Sequence, residues 1–98
     1  MIESYDVREA NPYGEKLSTK PLPQGGAFKM VSIAIPAGGE LSEHQTPGPA
    51  MLLVIEGEAR FIAGAEEIPL APGTVVSIPP GVVHRIAAAR NSHFILIR

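Results

Sequence analysis

Gly73-Thr74-Val75-Val76-Ser77-Ile78-Pro79-Pro80-Gly81-Val82-Val83-His84 is the stretch that decides the fold of this chain. Thr74 to Ile78 is a short run rich in β-branched residues, the composition of a strand. Pro79 and Pro80 fix φ near -65° and Gly81 can take the reversal that follows, so the run closes in a rigid turn. The chain then resumes as a second strand, Val82 to Ala87, carrying His84. A related stretch lies upstream, Gly38-Gly39-Glu40-Leu41-Ser42-Glu43-His44-Gln45-Thr46, with a glycine turn leading to a second histidine.

Working outward, the β signal continues along the chain. Lys29 to Ile35 reads as a strand that Pro36 stops, and Ala37-Gly38-Gly39 turns it. Ala50 to Ile55 is continuously apolar; its length and its Glu56-Gly57-Glu58 flank favour a buried strand over a helix. Ala59 to Ala63 and Ile68 to Leu70 form a hairpin across Gly64-Ala65-Glu66-Glu67. Arg90-Asn91-Ser92 leads into a last strand, His93 to Arg98. Ile86 to Arg90 is locally ambiguous because alanine favours helix, yet no segment offers twelve residues of helical periodicity. Short strands with frequent turns specify an all-β sandwich or barrel.

Residues 1–26 are polar and carry Pro12, Pro21, Pro23 and Gly25-Gly26. They read as an N-terminal arm of irregular or edge-strand structure belonging to the same domain as a barrel at 27–98. With 98 residues, the chain is one domain that buries about 60 to 65% of the surface its unfolded form exposes. Self-association is expected to help its stability. The expected form is a homodimer, made by sheet augmentation or by the arm crossing to the neighbour.

The net charge is -2 and the eight Lys and Arg residues are dispersed, so neither nucleic acid nor anionic membrane is an expected partner. The absence of cysteine removes disulfides, thiolate metal sites and thiol nucleophiles. The first ten residues lack the apolar centre of a signal peptide, and the run Ala50 to Ile55 is too short to cross a bilayer. A cytoplasmic protein is the expectation.

The two histidine stretches resemble the signature motifs of the cupin barrels. The family's first motif runs Gly, five residues, His-x-His, three or four residues, Glu, six residues, Gly. Gly38, His44 and Gly57 match it, while Thr46 stands at the second His and Ala50 at the Glu. The second motif runs Gly, five residues, Pro-x-Gly, two residues, His, three residues, Asn. Gly73, Pro79, Gly81 and His84 match, and Ala88 replaces the Asn. The resemblance covers about Ile33 to Arg98 and implies a cupin-type double-stranded β-helix, a jelly-roll barrel.

By the same resemblance His44 and His84 are two metal ligands, but Thr46 and Ala50 supply neither imidazole nor carboxylate. A catalytic Zn²⁺ takes three protein ligands and non-haem Fe(II) two His and a carboxylate. Glu56 is about 20 Å along the strand from Ala50, Glu43 points outward on a regular strand, and the facing of His93 depends on its register. Glu40, Glu43, Glu66 and Glu67 read as solvated turn residues. No cofactor is therefore expected; a divalent metal (Zn, Fe, Ni or Mn) is the alternative.

Strand residues i and i+2 share a face, which sets His44 beside Thr46 and opposite Glu43 and Gln45. The substitutions make the expected pocket less polar and roomier, with His44, Thr46, Ala50, His84 and Ala88 at a small-molecule site. Met51 or Leu52, Val54, Phe61, Ile78, Ile86 and Phe94 are its expected walls. An apolar cavity with a few convergent polar groups is the usual form of such a site. Three functions compete: a binding module for a partly apolar ligand, an enzyme of dioxygenase or isomerase type using a metal or one imidazole base, and a structural barrel without ligand. Epimerising cupins also use a Tyr acid, and both Tyr5 and Tyr13 lie in the arm.

Overall fold

Alternation of inward apolar residues builds two facing antiparallel sheets in the computed structural model, which describes residues 2–23 and 26–98. Met1, Gln24 and Gly25 of the arm lie outside the described residues. Among the described residues one helical turn, α1 (Val7–Ala10), precedes nine strands: β1 (Ser18–Pro21), β2 (Met30–Ile35), β3 (Glu40–His44), β4 (Ala50–Glu56), β5 (Ala59–Ala63), β6 (Glu66–Leu70), β7 (Val75–Ile78), β8 (His84–Ala88) and β9 (Ser92–Ile97). One sheet has the order β1-β2-β9-β4-β7 and the other β3-β8-β5-β6. Except in the β1–β2 and β5–β6 steps, consecutive strands alternate between the sheets, as in the expected jelly-roll.

The core lies between the sheets. Ile33, Ile35, Leu52, Val54, Ile78, Phe94 and Leu96 come from one sheet and Ala59, Phe61, Leu70, Ile86 and Ala88 from the other. Leu52, not Met51, faces inward; Met51 stands on the outer face, 47% exposed. The expected pocket walls Leu52, Val54, Phe61, Ile78, Ile86 and Phe94 belong to this one contiguous core.

One local ambiguity is resolved and one strand boundary moves. The alanine-rich Ile86 to Ala88 is strand, because Ile86, Ala87 and Ala88 pair with Phe61, Arg60 and Ala59 of β5. Tertiary pairing overrides local helix propensity there. The strand expected from Val82 begins only at His84, since the turn holds Gly81 at φ +76° with its N–H donating to the Thr46 carbonyl at 2.9 Å.

Gly57 has a second reason to be glycine. Its φ is +107°, and a Cβ there would collide with Ser92 Oγ and come within 2.5 Å of the Asn91 carbonyl oxygen. The β4–β5 turn thus sits hard against the start of β9.

The arm folds onto its own barrel. β1 pairs antiparallel with β2 along the edge of the sheet, which realises the edge-strand reading. Asn11 is buried and donates from Nδ2 to Ser32 Oγ at 3.1 Å, while Ser18 Oγ donates to Asn11 Oδ1 at 2.6 Å. Asp6 caps α1 by accepting from the Arg8 N–H at 2.8 Å. Among the described residues, no helix is long and apolar enough to cross a membrane.

Candidate ligand site

His44 and His84 come together because β3 is irregular. Leu41 pairs with Ile86, and regular pairing would set Glu43 opposite His84; instead the register shifts between Leu41 and His44, and His44 is the partner of His84. A bulge inserts a residue and re-aims the side chains that follow it. Here it gives His44 the face of His84 and leaves Glu43 exposed.

The two imidazoles meet edge to face, with ring centroids 4.2 Å apart and planes at 61°. Phe61 stacks on the other side of His84 at 4.8 Å and 19°. His84 is 2% exposed, so its ring is held between His44 and the core.

Both rings are oriented in the same way. His44 Nδ1 lies 3.1 Å from the Ser42 carbonyl oxygen and His84 Nδ1 lies 2.9 Å from the Val82 carbonyl oxygen. A carbonyl oxygen can only accept, so each Nδ1 carries a proton, and a ring in its neutral form has its lone pair at Nε2. Among the described residues neither Nε2 has a hydrogen-bond partner. Burial lowers the His84 pKa, and the charge of His44 lowers it further against the opposing pull of the Val82 carbonyl. His84 is therefore held neutral.

Thr46 and Ala88, expected beside the histidines, line other clefts, and Ala50 is packed in the core. Thr46 is 3% exposed and its hydroxyl donates to the Gly48 carbonyl at 2.9 Å, closing the Pro47-Gly48-Pro49 turn. Ala50 is buried on β4 opposite Ile78. Ala88 is buried at the far end of β8, roughly 13 Å along the strand from His84. A cleft of about 310 Å³ is lined by His84 with Glu43, Ile62, Gly64, Val83 and Arg85. Thr46 instead lines a cleft of about 490 Å³ beside Lys29 and Arg98, and Ala88 one of about 600 Å³ beside Glu58, Arg60 and Leu70. The cleft at His84 draws on Glu43 and Gly64, which read in sequence as ordinary turn residues.

His93 is on the opposite side of the sheet from the core. It pairs with Ala34 of β2 and, across a register shift in β4, with Glu56. It is fully buried: Tyr13 of the arm meets the ring edge-on at 6.0 Å, and Ser32 Oγ of β2 bonds to Nε2 at 2.5 Å. Its Nδ1 has no partner among the described residues, and burial lowers its pKa more than nearby Glu56 raises it. Tyr13 in turn donates to Glu56 Oε2 at 2.8 Å, and Arg8 pairs with Glu56 Oε1 at 3.1 Å. Burial and the Glu56 carboxylate push the Tyr13 hydroxyl up, while Tyr13 and Arg8 hold Glu56 below its ordinary value. Nothing in the arm's sequence marks Asn11 or Tyr13 for this role, since both are common in loops.

A model of the cupin domain matches residues 31–97. The chain belongs to the cupin domain family. Solved cupins share its fold along almost its whole length. An RmlC-like cupin from Desulfovibrio desulfuricans superposes with a TM-score of 0.84 at 26% identity, covering 99% of this chain and 95% of that one. A cupin superfamily protein from Desulfitobacterium hafniense gives 0.82 at 21% identity, over 93% and 84%. A conserved Streptococcus pyogenes protein of unknown function gives 0.84 at 20% identity, over 99% and 86%. Comparison with curated proteins finds no match.

Cupins commonly hold metals, so the donors of this one matter. Among the described residues no three His, Cys, Asp or Glu side chains gather as a metal site. The donor set stops at two Nε2 atoms: the Thr46 hydroxyl is committed to Gly48, Ala50 has no donor, and His93 is sealed under the arm. These residues do not fit a metal centre completed by the protein.

Proposed function

We propose that this cupin is a cytoplasmic binding module for a small, partly apolar molecule that donates hydrogen bonds to His44 and His84. The observation that carries the reading is the pair of imidazoles anchored through Nδ1, each with its Nε2 lone pair unspent. Two unspent acceptors on the inner face, beside Phe61, suit a ligand with a hydroxyl or N–H group on an apolar frame.

Thermal-shift screening of tag-free protein against a metabolite panel tests this. A true ligand stabilises the fold by RT ln(1 + [L]/Kd), and the shift vanishes in His44→Ala and His84→Ala. A shift that survives both substitutions places the ligand elsewhere. A panel without any shift favours the structural barrel.

One observation favours a second reading, a metal-dependent dioxygenase or isomerase with His44, His84 and an unidentified third ligand. A backbone carbonyl holding Nδ1 is also how metal-ligating histidines are oriented. Metal analysis of tag-free protein separates the readings. The binding module predicts well under one equivalent of Zn, Fe, Ni or Mn, unaltered in His84→Ala.

A further inference from the structure

The β2–β9 ladder runs one step past its last strand pair. Beyond Met30 and Ile97, the Arg98 N–H donates to the Lys29 carbonyl at 2.9 Å and the Lys29 N–H donates back to the Arg98 carbonyl. Lys29 and Arg98 are thus direct cross-strand neighbours. Period-two alternation gives them the phase of Val31, which packs against the core, and of Leu96, which belongs to it. That phase sets both cations at the rim of the barrel, where they line the cleft of about 490 Å³ together with Ala27, Thr46 and the Pro47-Gly48-Pro49 loop.

Like charges directly opposite each other destabilise an antiparallel pair. The other arginines of this chain are all answered by carboxylates: Arg8 by Asp6 and Glu56, Arg60 by Glu67, Arg85 by Glu40 and Arg90 by Glu58. Among the described residues neither Lys29 nor Arg98 forms an ion pair, the main-chain carboxylate of Arg98 included. The loop across the cleft adds a further donor. Pro47 and Pro49 have no N–H, so Gly48 carries the only one, and among the described residues it meets no acceptor; only the Gly48 carbonyl is taken, by the Thr46 hydroxyl. A Cβ at Gly48 would meet nothing within 4 Å, so the main chain there is open to approach.

We propose that Lys29, Arg98 and the Gly48 N–H form an oxyanion site at the barrel rim, which takes the carboxylate or phosphate of a small organic acid. The guanidinium fork of Arg98 suits two oxygens of such a group, and the Lys29 ammonium adds a point charge beside it. An anion between them removes the like-charge repulsion of the pair. Ala27, Pro47 and Pro49 offer apolar surface to the rest of the molecule. Both cations are exposed, so binding is of millimolar strength and falls with salt. This site offers donors and positive charge, whereas the imidazole pair offers acceptors, so the two are separate in chemistry and the proposal stands independently of the ligand of His44 and His84.

Amide NMR titrations of the full, tag-free chain with benzoate, phenyl phosphate and uncharged benzyl alcohol test the proposal. At millimolar concentration at least one of the two anions should shift the Gly48 and Lys29 amides saturably, less so at high salt, and benzyl alcohol should leave them in place. Whichever anion binds more tightly distinguishes a carboxylate site from a phosphate site. Lys29→Gln/Arg98→Gln should weaken binding at least about tenfold, while His44→Ala leaves it unchanged. Without anion the double variant should be no less stable than wild type, since it removes a like-charge pair. Should it fail to fold, the two single glutamine variants replace it, each weakening binding severalfold. Gly48 and Lys29 amides unmoved by both anions overturn the proposal, as do glutamine variants that bind like wild type or benzyl alcohol shifts equal to those of the anions. Loss of anion binding in His44→Ala also overturns it, because the anion then belongs to the imidazole pair.

Discussion

His44 and His84 are direct partners across the β3–β8 ladder, and they share a face only because the register shifts between Leu41 and His44. Period-two alternation puts every second residue on one side, so a one-residue shift exchanges His44 for Glu43. The bulge is thus what turns two distant histidines into a site. Deleting Ser42 removes the extra residue, so Glu43 should fall opposite Arg85 in a regular ladder while His44 stays opposite His84. Nuclear Overhauser contacts between the two imidazoles check this: they should be present in wild type and persist in the deletion, and their loss in the deletion would contradict this pairing.

Phe61 fixes the His84 ring from the core side. Phe61→Ala removes a buried aromatic and should cost about 3 to 5 kcal/mol, read from urea unfolding. Phe61→Leu keeps most of the volume, and a cost of around 1.5 kcal/mol or less is expected. A small loss in Phe61→Ala would mean that the stacking seen at 4.8 Å holds little of the site together.

Gly57 and Gly64 make a matched pair of glycines. Both have positive φ, but a Cβ at Gly57 strikes Ser92 and Asn91 whereas nothing lies within 4 Å at Gly64. Gly64→Ala is expected to cost about 1 kcal/mol from backbone strain alone. Gly57→Ala adds a backbone clash and should cost at least about 2 kcal/mol more. Equal melting temperatures for the two variants would contradict the close approach of the β4–β5 turn to β9.

The acid side of the stability curve follows from the buried histidines. His84 and His93 both have pKa values lowered by burial from the ordinary 6.5. Below pH 6.5 the unfolded chain therefore takes up protons that the folded chain refuses, and stability falls with pH until the folded values are reached. Each unit of depression is worth about 1.4 kcal/mol. Glu56, held below its ordinary 4.5 by Tyr13 and Arg8, stabilises the fold above that pH and loses its contribution as pH falls further. His93→Asn should flatten the loss between neutrality and pH 4.5, in urea titrations at a series of pH values. An unchanged slope would mean that His93 is not buried neutral.

The arm's hold on the barrel is concentrated at Asn11. Its amide satisfies Ser32 and Ser18 in a buried setting, so Asn11→Ala leaves those groups unmet and should cost about 1 to 3 kcal/mol. Hydrogen exchange should quicken first in β1, which pairs only with β2. Uniform loss of protection would instead show that arm and barrel unfold together.

The fold was legible because glycine, proline and β-branched residues act locally. Gly73, Pro79, Gly81 and His84 hold their spacing whatever the rest of the chain does, and the strands from Lys29 onward follow from their composition. The pairing of His44 with His84 was legible only through the resemblance to cupins, since a register shift leaves no mark in the composition of Leu41 to His44. Non-local packing was the least readable. Tyr13 and Asn11 sit far in sequence from His93 and Ser32, and the commitment of the Thr46 hydroxyl to Gly48 depends on how the Pro47-Gly48-Pro49 loop closes. The unbroken apolar run Ala50 to Ile55 did carry a signal, a central strand, although its alternation hides that Leu52 and Val54 are buried while Met51 stands 47% exposed on the outer face.

Native mass spectrometry of tag-free protein tests the central claim most directly, because one spectrum separates a bound metal ion from a bound organic molecule. The account predicts a small organic increment after incubation with the stabilising metabolite, no metal at stoichiometric occupancy, and loss of the increment in His44→Ala and His84→Ala. A stoichiometric metal ion in wild type, or an organic increment that both alanine variants retain, would contradict it.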